Sequence, residues 1–175
     1  MTCLDLCCYT GGFALSAAMG GAASVTGVDS SIPAVTCARE NAELNGLAGK
    51  IDFLCEDISK FMTRSASENK NWDLVVLDPP KFCPSKKYLE RALRKYEKVN
   101  AMAMRLVAEG GLLVTCSCSG AVAQSKTFLP MLAKAAARAG RTAKVLKVSG
   151  AAEDHLTSLA YPEGEYLTVV TLLVE

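Results

Sequence analysis

The sequence contains little histidine, little net charge and no long apolar run. A single histidine among 175 residues leaves a zinc site without its usual mixed ligands, and we expect no metal. The apolar runs are shorter than the roughly 18 residues that a membrane-spanning helix needs, so we expect no membrane partner. The net charge of +1 is small for a free-standing nucleic-acid-binding protein, so any such contact must be local or depend on another domain.

Eight cysteines are present, but their spacing is not that of a disulfide framework. Cys7 and Cys8, like Cys116 and Cys118, fall in or beside apolar runs that are typical of strands. Thiols in such positions are typical of proteins from a reducing compartment, and we therefore expect a cytoplasmic location.

Short strand-like runs alternate with helical stretches along the chain. This alternation predicts one α/β domain, with a doubly wound, mostly parallel sheet of seven strands and helices on both faces. The connection 149–165 has glycine and proline but no long helix, so it can reverse the chain and leave the last strand antiparallel. Gly110 and Gly111 are expected to end a helix. The expected strands are 3–7, 24–28, 51–55, 72–77, 112–116, 143–148 and 166–174, and the long helices are 13–19, 32–44, 89–107 and 121–139.

In a doubly wound sheet, ligands bind at the carboxyl ends of the strands, so the residues near those ends are the candidates. The first strand contains Asp5 and is followed by Tyr9, Thr10 and Gly11, which lead into a helix. A glycine turn of this kind lets a ligand approach the backbone and the N–H groups of the helix. The same residues are equally typical of a tight turn without a ligand.

Asp29 follows the second strand and Asp57 follows the third. The first of these carboxylates can accept both hydroxyls of a ribose, and the second can accept an adenine amino group. Each could instead cap the next helix. The chain lacks a full G-x-G-x-x-G motif, which disfavours a dinucleotide, whereas S-adenosylmethionine has a ribose and an adenine without phosphate. We therefore expect S-adenosylmethionine as the cofactor, bound by Asp5, Tyr9, Thr10, Gly11, Asp29, Asp57 and Asp78.

Residues suited to chemistry on a planar base follow the fourth and fifth strands. Asp78 is followed by Pro79 and Pro80, which stiffen the loop and leave carbonyl groups that can face a base. Cys116 and Cys118 lie two residues apart on the fifth strand, and Cys118 is nearer its end. A thiol at that end is a candidate nucleophile, although most cysteines are simply small buried apolar residues.

Together these motifs resemble the ribosomal RNA large-subunit methyltransferase I family, which forms 5-methylcytosine. The resemblance implies a Rossmann-like class I methyltransferase fold, ribosomal RNA as substrate and Cys118 as nucleophile. Family members also carry an RNA-binding PUA domain and a β-rich segment upstream, so we expect this chain to be the catalytic domain, with the RNA-binding domain missing. The shared segments are 9–13, 28–29, 43–45, 78–82, 117–120 and 161–167, whereas 154–156 departs because Leu156 stands where a proline usually follows the histidine.

The chemistry of cytosine accounts for these residue types. A thiolate that adds to C6 makes C5 nucleophilic toward a methyl sulfonium, a role that requires a lowered thiol pKa. We expect Cys118 to be this thiol and Asp78 to be the proton donor near N3. The target base must be unpaired or flipped out. The expected substrate contacts are Pro79, Pro80, Lys81 and Phe82, with Phe82 stacking on the base, and the basic segment 81–98 is either a phosphate contact or a solvated helix face.

Several alternatives stay open. An Asp-Pro-Pro motif followed by an aromatic residue is also the layout of nucleobase N-methyltransferases, although here Lys81 stands where the aromatic would be. The small net charge also suits a non-catalytic remnant that binds only cofactor or RNA. Cys83 and Cys116 compete with Cys118 for the role of nucleophile. The oligomeric state also stays open, with a homodimer as one alternative.

Overall fold

The computed structural model describes residues 1–155, 158, 160–161 and 164–175 of the chain. A sheet runs through these residues, and its strands are β1 Thr2–Leu6, β2 Ser24–Asp29, β3 Ile51–Cys55, β4 Trp72–Leu77, β5 Val107–Ser117, β6 Ala143–Ser149 and β7 Thr168–Val174. The helices are α1 Gly12–Met19, α2 Ile32–Leu44, α3 Ile58–Ser67, α4 Leu89–Met104, α5 Gly120–Ser125 and α6 Phe128–Ala139, with a 3-10 turn at Lys86–Tyr88. None of the helices described is long and apolar enough to cross a membrane.

The strands are ordered β3-β2-β1-β4-β5-β7-β6. The first five of these are paired in parallel, while β7 is antiparallel to both β5 and β6. This arrangement confirms the predicted doubly wound, mostly parallel sheet of seven strands with an antiparallel last strand. The strand order switches between β1 and β4, which is where ligands bind in sheets of this type.

Each face of the sheet has its own apolar core. On one face, α1 and α2 pack through small residues such as Ala14, Ala38 and Ala42. On the other face, α3, α4 and α6 pack through larger side chains such as Tyr96 and Met104. Because right-handed crossovers put the helices on opposite faces on the two sides of the switch point, the strand ends between them are left uncovered.

One predicted helix boundary is wrong. The sequence pattern predicts a helix over 89–107 that is ended by two glycines, but α4 ends at Met104 and β5 begins at Val107. Gly110 and Gly111 lie inside β5, at an irregularity in its pairing with β4. Gly110 has a φ of 70°, and a Cβ on Gly111 would lie 2.9 Å from the carbonyl oxygen of Asp73. These glycines therefore allow a bulge within a strand and do not end a helix.

Two further differences from the prediction exceed one residue. The predicted helix 121–139 is divided into α5 and α6, because Lys126 between them has a left-handed backbone with a φ of 54°. The hydroxyls of Ser125 and Thr127, which flank Lys126, lie 2.7 Å apart. β7 begins at Thr168, later than the predicted strand 166–174.

A buried polar contact fixes α4 against β5. The side-chain amide of Asn100 donates to the carbonyl oxygen of Tyr96 at 2.9 Å, and its oxygen accepts from the hydroxyl of Thr115 at 2.7 Å. Asn100 and Thr115 are both fully buried. Since a buried amide without partners costs free energy, this contact favours one register of the helix on the strand. That register determines which residues of α4 reach the open end of the sheet.

Asp5 is buried in β1, beneath the start of α1. Its Oδ2 accepts a hydrogen bond from the backbone N–H of Ala14 at 2.9 Å, while Oδ1 has no partner among the described residues. Burial raises the pKa of Asp5 to about 7; the bond from Ala14 opposes this shift, and the nearby charges of Asp78 and Asp29 add to it. Asp5 therefore ties α1 to the sheet and takes up a proton near neutral pH.

We predict that Asp5 destabilises the protein as the pH rises from about 4 to about 7. The pKa of Asp5 is about 7 in the folded state, against an ordinary 3.8. The stability that Asp5 contributes to the folded state is therefore fully present below about pH 4 and is lost as the pH rises to about 7. Asp5→Asn keeps an oxygen for Ala14 but cannot ionise. In urea unfolding, the stability of this variant relative to wild type should grow by as much as about 4 kcal/mol over that range. A difference that does not change with pH would contradict the prediction.

Candidate active site

A cavity of about 710 Å³ opens at the carboxyl ends of the central strands, beside the switch in strand order. Four predicted site residues, Asp5, Thr10, Gly11 and Lys81, do not line it. The predicted residues that do line it are Tyr9, Asp29, Asp57, Asp78, Pro79, Pro80, Phe82 and Cys118. The fold thus brings candidates for cofactor binding, such as Asp29 and Asp57, and candidates for chemistry, such as Asp78 and Cys118, to one cavity.

The turn between β1 and α1 shapes one wall of this cavity. Cys7, Tyr9 and Gly11 have φ values of 63°, 49° and 88°, all in the left-handed region. A Cβ on Gly11 would lie 2.8 Å from the ring of Phe53, so glycine is required by both the conformation and the close approach. Gly11 therefore sets the shape of the turn, while Cys7 and Tyr9 reach the cavity wall.

Asp29 connects this turn to the end of β2. Its Oδ2 accepts the backbone N–H of Tyr9 at 3.0 Å, and its Oδ1 accepts the N–H of Ser31 at 2.9 Å. The capping of α2 falls instead to Ser31, whose hydroxyl oxygen accepts the N–H of Ala34 at 3.4 Å. Each carboxylate oxygen keeps lone-pair capacity for a further donor. Asp29 can therefore hold the turn and accept from a ligand in the cavity at the same time.

Asp57 both caps α3 and lines the cavity. Its Oδ1 accepts the backbone N–H groups of Ser59 and Lys60 at 2.9 and 3.1 Å. Its Oδ2 accepts no hydrogen bond within the described part of the chain. The neighbouring Glu56 does not line the cavity, since its carboxylate forms an ion pair with Arg64 at 2.6 Å. The capping role and a ligand-binding role are thus compatible in Asp57.

The cavity is acidic. Three carboxylates, those of Asp29, Asp57 and Asp78, line it together with one ammonium group, that of Lys95. Burial raises the pKa of Asp78. Asp5 lies behind the wall and is electrostatically coupled to Asp29 and Asp78. A concave site lined mainly by negative charges favours a ligand that carries positive charge.

Cys118 lies at the mouth of the cavity, just beyond β5. Its thiol is half-buried and points to the carbonyl oxygen of Pro79, with Sγ 3.9 Å away. Burial raises the pKa of this thiol, and so does the charge of Asp78, while its own backbone N–H and the charge of Lys81 act in the opposite direction. The thiol pKa is therefore raised, and not lowered as the expected role of nucleophile requires. Lys81, though outside the cavity lining, acts on Cys118 through its charge.

The two competing thiols lie outside the cavity lining. Cys116 is 3% exposed, and burial raises its pKa to about 12. Cys83 is equally buried, and its thiol lies 3.3 Å from the carbonyl oxygen of Ser85. Neither thiol has access to a ligand in the cavity, so position favours Cys118 as the reactive one.

A buried hydroxyl joins the loops that follow β4 and β5. Ser119 Oγ lies 3.0 Å from the hydroxyl of Tyr96 and accepts the backbone N–H of Cys83 at 3.4 Å. Ser119 and Tyr96 are both fully buried. In the structure Ser119 faces Tyr96, and Ser117 Oγ is buried without a partner among the described residues.

Phe82 forms the cavity wall nearest α4. The ammonium group of Lys95 lies 3.9 Å from the centre of the Phe82 ring, and the ring of Tyr96 lies 4.8 Å away at a tilt of 51°. A base that stacks on Phe82, as predicted, would therefore compete with Lys95 for contact with this ring. The register of α4 on β5 brings Lys95 here, whereas the sequence does not distinguish it from the other cations of the basic segment 81–98.

The segment 161–167, which carries part of the family resemblance, reaches the cavity through Tyr166 and Leu167. Pro162 and Glu163 of this segment lie outside the described residues, as does Leu156. His155 lies beside Tyr166, with ring centres 6.4 Å apart. The residues that sequence reasoning missed at the cavity are Cys7, Ser30, Ile58, Ser59, Val99, Tyr166 and Leu167.

Comparison with known proteins bears on the resemblance noted in the sequence. The ribosomal RNA large subunit methyltransferase I of Aeromonas hydrophila is 46% identical over 165 residues, which cover 94% of this chain and 41% of that protein. The protein of the same name from Klebsiella pneumoniae is 42% identical over 160 residues, covering 91% and 40%. These relatives confirm the resemblance. The chain spans about two fifths of their length.

Solved structures share the fold. A protein from Streptococcus mutans, assigned as a SAM-dependent methyltransferase, has a TM-score of 0.84 at 22% identity, covering 98% of this chain and 44% of that one. A structure with the same scores, SMU.776, is complexed with SAH. The SAM-dependent methyltransferase of Agrobacterium tumefaciens has a TM-score of 0.66 at 24% identity, covering 99% and 55%. A family model described as a methyltransferase domain matches residues 1–163, and this chain therefore belongs to the methyltransferase domain family.

Proposed function

We propose that this chain is the catalytic domain of an S-adenosylmethionine-dependent RNA methyltransferase, which forms 5-methylcytosine in large-subunit ribosomal RNA through Cys118. The observation that carries the proposal is the meeting of Cys118 and Asp78 with Asp29 and Asp57 in one acidic cavity. The names of the relatives support ribosomal RNA as the substrate.

The cavity fits S-adenosylmethionine in size and charge. About 710 Å³ is within the range of small-molecule sites, and the three carboxylates of the lining suit a ligand with a sulfonium and an ammonium group. Asp29 would accept the ribose hydroxyls and Asp57 the adenine amino group. Tyr9 would lie against the cofactor, while Thr10 and Gly11 shape the turn and Asp5 holds that turn to α1. The structural neighbour solved with SAH supports this choice of cofactor.

Asp78 and Cys118 have complementary tasks in the proposed reaction. The Cys118 thiolate adds to C6 of cytosine, forming an S–C6 bond, while N3 takes a proton from Asp78. The cofactor would supply a methyl group to C5 and leave as S-adenosylhomocysteine. Loss of the C5 proton to a base would then let the S–C6 bond break, which releases the Cys118 thiolate, and N3 would return its proton to Asp78, which restores the ring. Burial raises the pKa of Asp78, which keeps more of it protonated for this donation.

The protonation states of these two residues are coupled. The negative charge of Asp78 raises the pKa of Cys118, so a protonated Asp78 removes one of the influences that hold the thiol neutral. The reactive pair is then a neutral carboxyl group beside a thiolate. Lys81 supports the same state, because its positive charge lowers the pKa of Cys118.

We predict that Asp29→Ala weakens the binding of S-adenosylmethionine at least tenfold, roughly, because hydrogen bonds to a charged group are lost without replacement. Isothermal calorimetry measures the affinity. Glu56→Ala is the matched control, since it removes a nearby carboxylate that pairs with Arg64 and does not line the cavity. Equal affinity in the two variants would contradict the assignment of Asp29.

We predict that Asp78→Asn lowers the pKa of the Cys118 thiol, because it removes a negative charge that raises this pKa. The rate of alkylation of Cys118 by iodoacetamide, followed by mass spectrometry over a range of pH, reports the change. Cys55, an exposed thiol, serves as the internal reference. A Cys118 profile that is identical in wild type and variant would show that the two groups are not coupled.

We predict that Cys118→Ala abolishes the covalent complex with RNA that contains 5-fluorocytosine, whereas Cys83→Ala and Cys116→Ala retain it. Fluorine at C5 blocks the final elimination and so traps the S–C6 adduct. Denaturing gel electrophoresis measures the yield. Trapping by Cys118→Ala would disprove this assignment, and methylation of an exocyclic amine without trapping would favour the N-methyltransferase alternative.

A further inference from the structure

A second, smaller cavity adjoins the active site on its α4 side. It has a volume of about 470 Å³ and is lined by Phe82, Pro84, Tyr88, Arg91, Ala92 and Lys95. Phe82 and Lys95 also line the main cavity, so the two spaces share a wall. We call this second space the outer pocket.

The lining of the outer pocket combines exposed aromatic surface with basic groups. Tyr88 is 41% exposed and lies at the end of the 3-10 turn before α4. The ammonium group of Lys87 lies 4.9 Å from the centre of the Tyr88 ring. Ala92 contributes only a methyl group, which leaves space beside the ring. An accessible aromatic face next to cations is the combination on which bases of single-stranded nucleic acid stack.

The cations of the outer pocket are not neutralised. Within the described residues, neither Arg91 nor Lys95 lies within 4.0 Å of a carboxylate. Arg94, on the same helix, is 4.0 Å from Glu90. The outer pocket also has no carboxylate in its lining, in contrast to the three that line the main cavity. Its chemistry thus favours an anion, where the main cavity favours a cation.

We propose that the outer pocket binds the nucleotide next to the target base in a single strand of RNA. Its base stacks on Tyr88, and the phosphate that links it to the target nucleotide contacts Arg91 and Lys95. The inference rests on the proposed function, since it takes the target base to occupy the main cavity. Phe82 and Lys95 form a wall that the two cavities share. Two consecutive nucleotides of one strand could therefore place their bases on opposite sides of this wall.

Lys95 has a particular place in this arrangement. Its ammonium group lies over the ring of Phe82, on which the target base would stack. A phosphate at the shared wall would draw Lys95 away from the ring, because a charge-assisted contact with phosphate is stronger than an exposed cation–π contact. Binding of the neighbouring nucleotide would thereby uncover the stacking surface for the target base.

The test is an NMR titration of the 175-residue chain with CMP and with an RNA trinucleotide that has cytosine at its centre. Wild type should bind the trinucleotide more tightly than CMP. Tyr88→Ala should weaken trinucleotide binding about tenfold, while leaving CMP unaffected, and Tyr88→Phe should retain the affinity. Arg91→Gln should reduce the salt dependence of binding by about 0.7 in log–log slope, whereas the control Arg94→Gln should not change it.

The proposal is overturned if the trinucleotide binds no more tightly than CMP, or if Tyr88→Ala and Arg91→Gln behave like Arg94→Gln. It is also overturned, in favour of a protein partner, if an acidic peptide competes as well as the trinucleotide does. The outer-pocket proposal and the proposed function are separated by mass spectrometry of RNA that has been incubated with the protein and S-adenosylmethionine, which shows whether a base is methylated and which one. Trinucleotide binding that depends on Tyr88, together with no 5-methylcytosine, would disprove the proposed function and leave the outer pocket as an RNA site.

Discussion

The parallel pairing of β1 with both β2 and β4 is the constraint on which the site depends. Parallel strands direct their carboxyl ends to the same edge, so residues that are far apart in sequence meet where these three strands end. Asp29 and Asp78 come to the cavity in this way, although 48 positions separate them in the chain. An antiparallel neighbour at either position would send the following loop to the opposite edge of the sheet.

A second constraint acts on the side of the cavity where chemistry is proposed. Ser119 and Tyr96 are buried together, and the hydroxyl of Ser119 also accepts the N–H of Cys83. This one group therefore connects the loop after β4, the loop after β5 and helix α4. Because a buried hydroxyl without a partner is unfavourable, the three elements are held in one relative position. Cys118 precedes Ser119 directly, so its distance from the Asp78–Pro79 loop is set by the same contact.

Charge is distributed unevenly over the molecule, and the net value of +1 conceals this. The main cavity is lined by three carboxylates, whereas the outer pocket has two cations and no carboxylate. A cationic cofactor in the main cavity and an anionic RNA strand in the outer pocket would need this distribution of charge. Asp78 lines the main cavity, and its negative charge adds to burial in raising the pKa of Cys118.

The sequence by itself determined the class of fold and about half of the residues at the cavity wall. Alternating apolar runs predict a doubly wound sheet, and the residues after each strand, such as Asp29, Asp57 and Cys118, can then be read as candidates. The apolar pattern of a strand and the identity of the residues that follow it are both local information, since a strand and its following loop are adjacent in the chain. The glycines at 110–111 misled the prediction because a helix end and a strand bulge require the same backbone freedom.

Only the tertiary structure decided the roles that depend on contacts between distant elements. Lys95 and Tyr96 belong to the site because the buried contact between Asn100 and Thr115 fixes the register of α4 on β5. Asp5 and Asp29 have the same charge in the sequence, but burial gives Asp5 a pKa of about 7 and removes it from the cavity wall. Packing sets both outcomes, because desolvation and side-chain contact arise only once separate parts of the chain meet, and no local pattern encodes them.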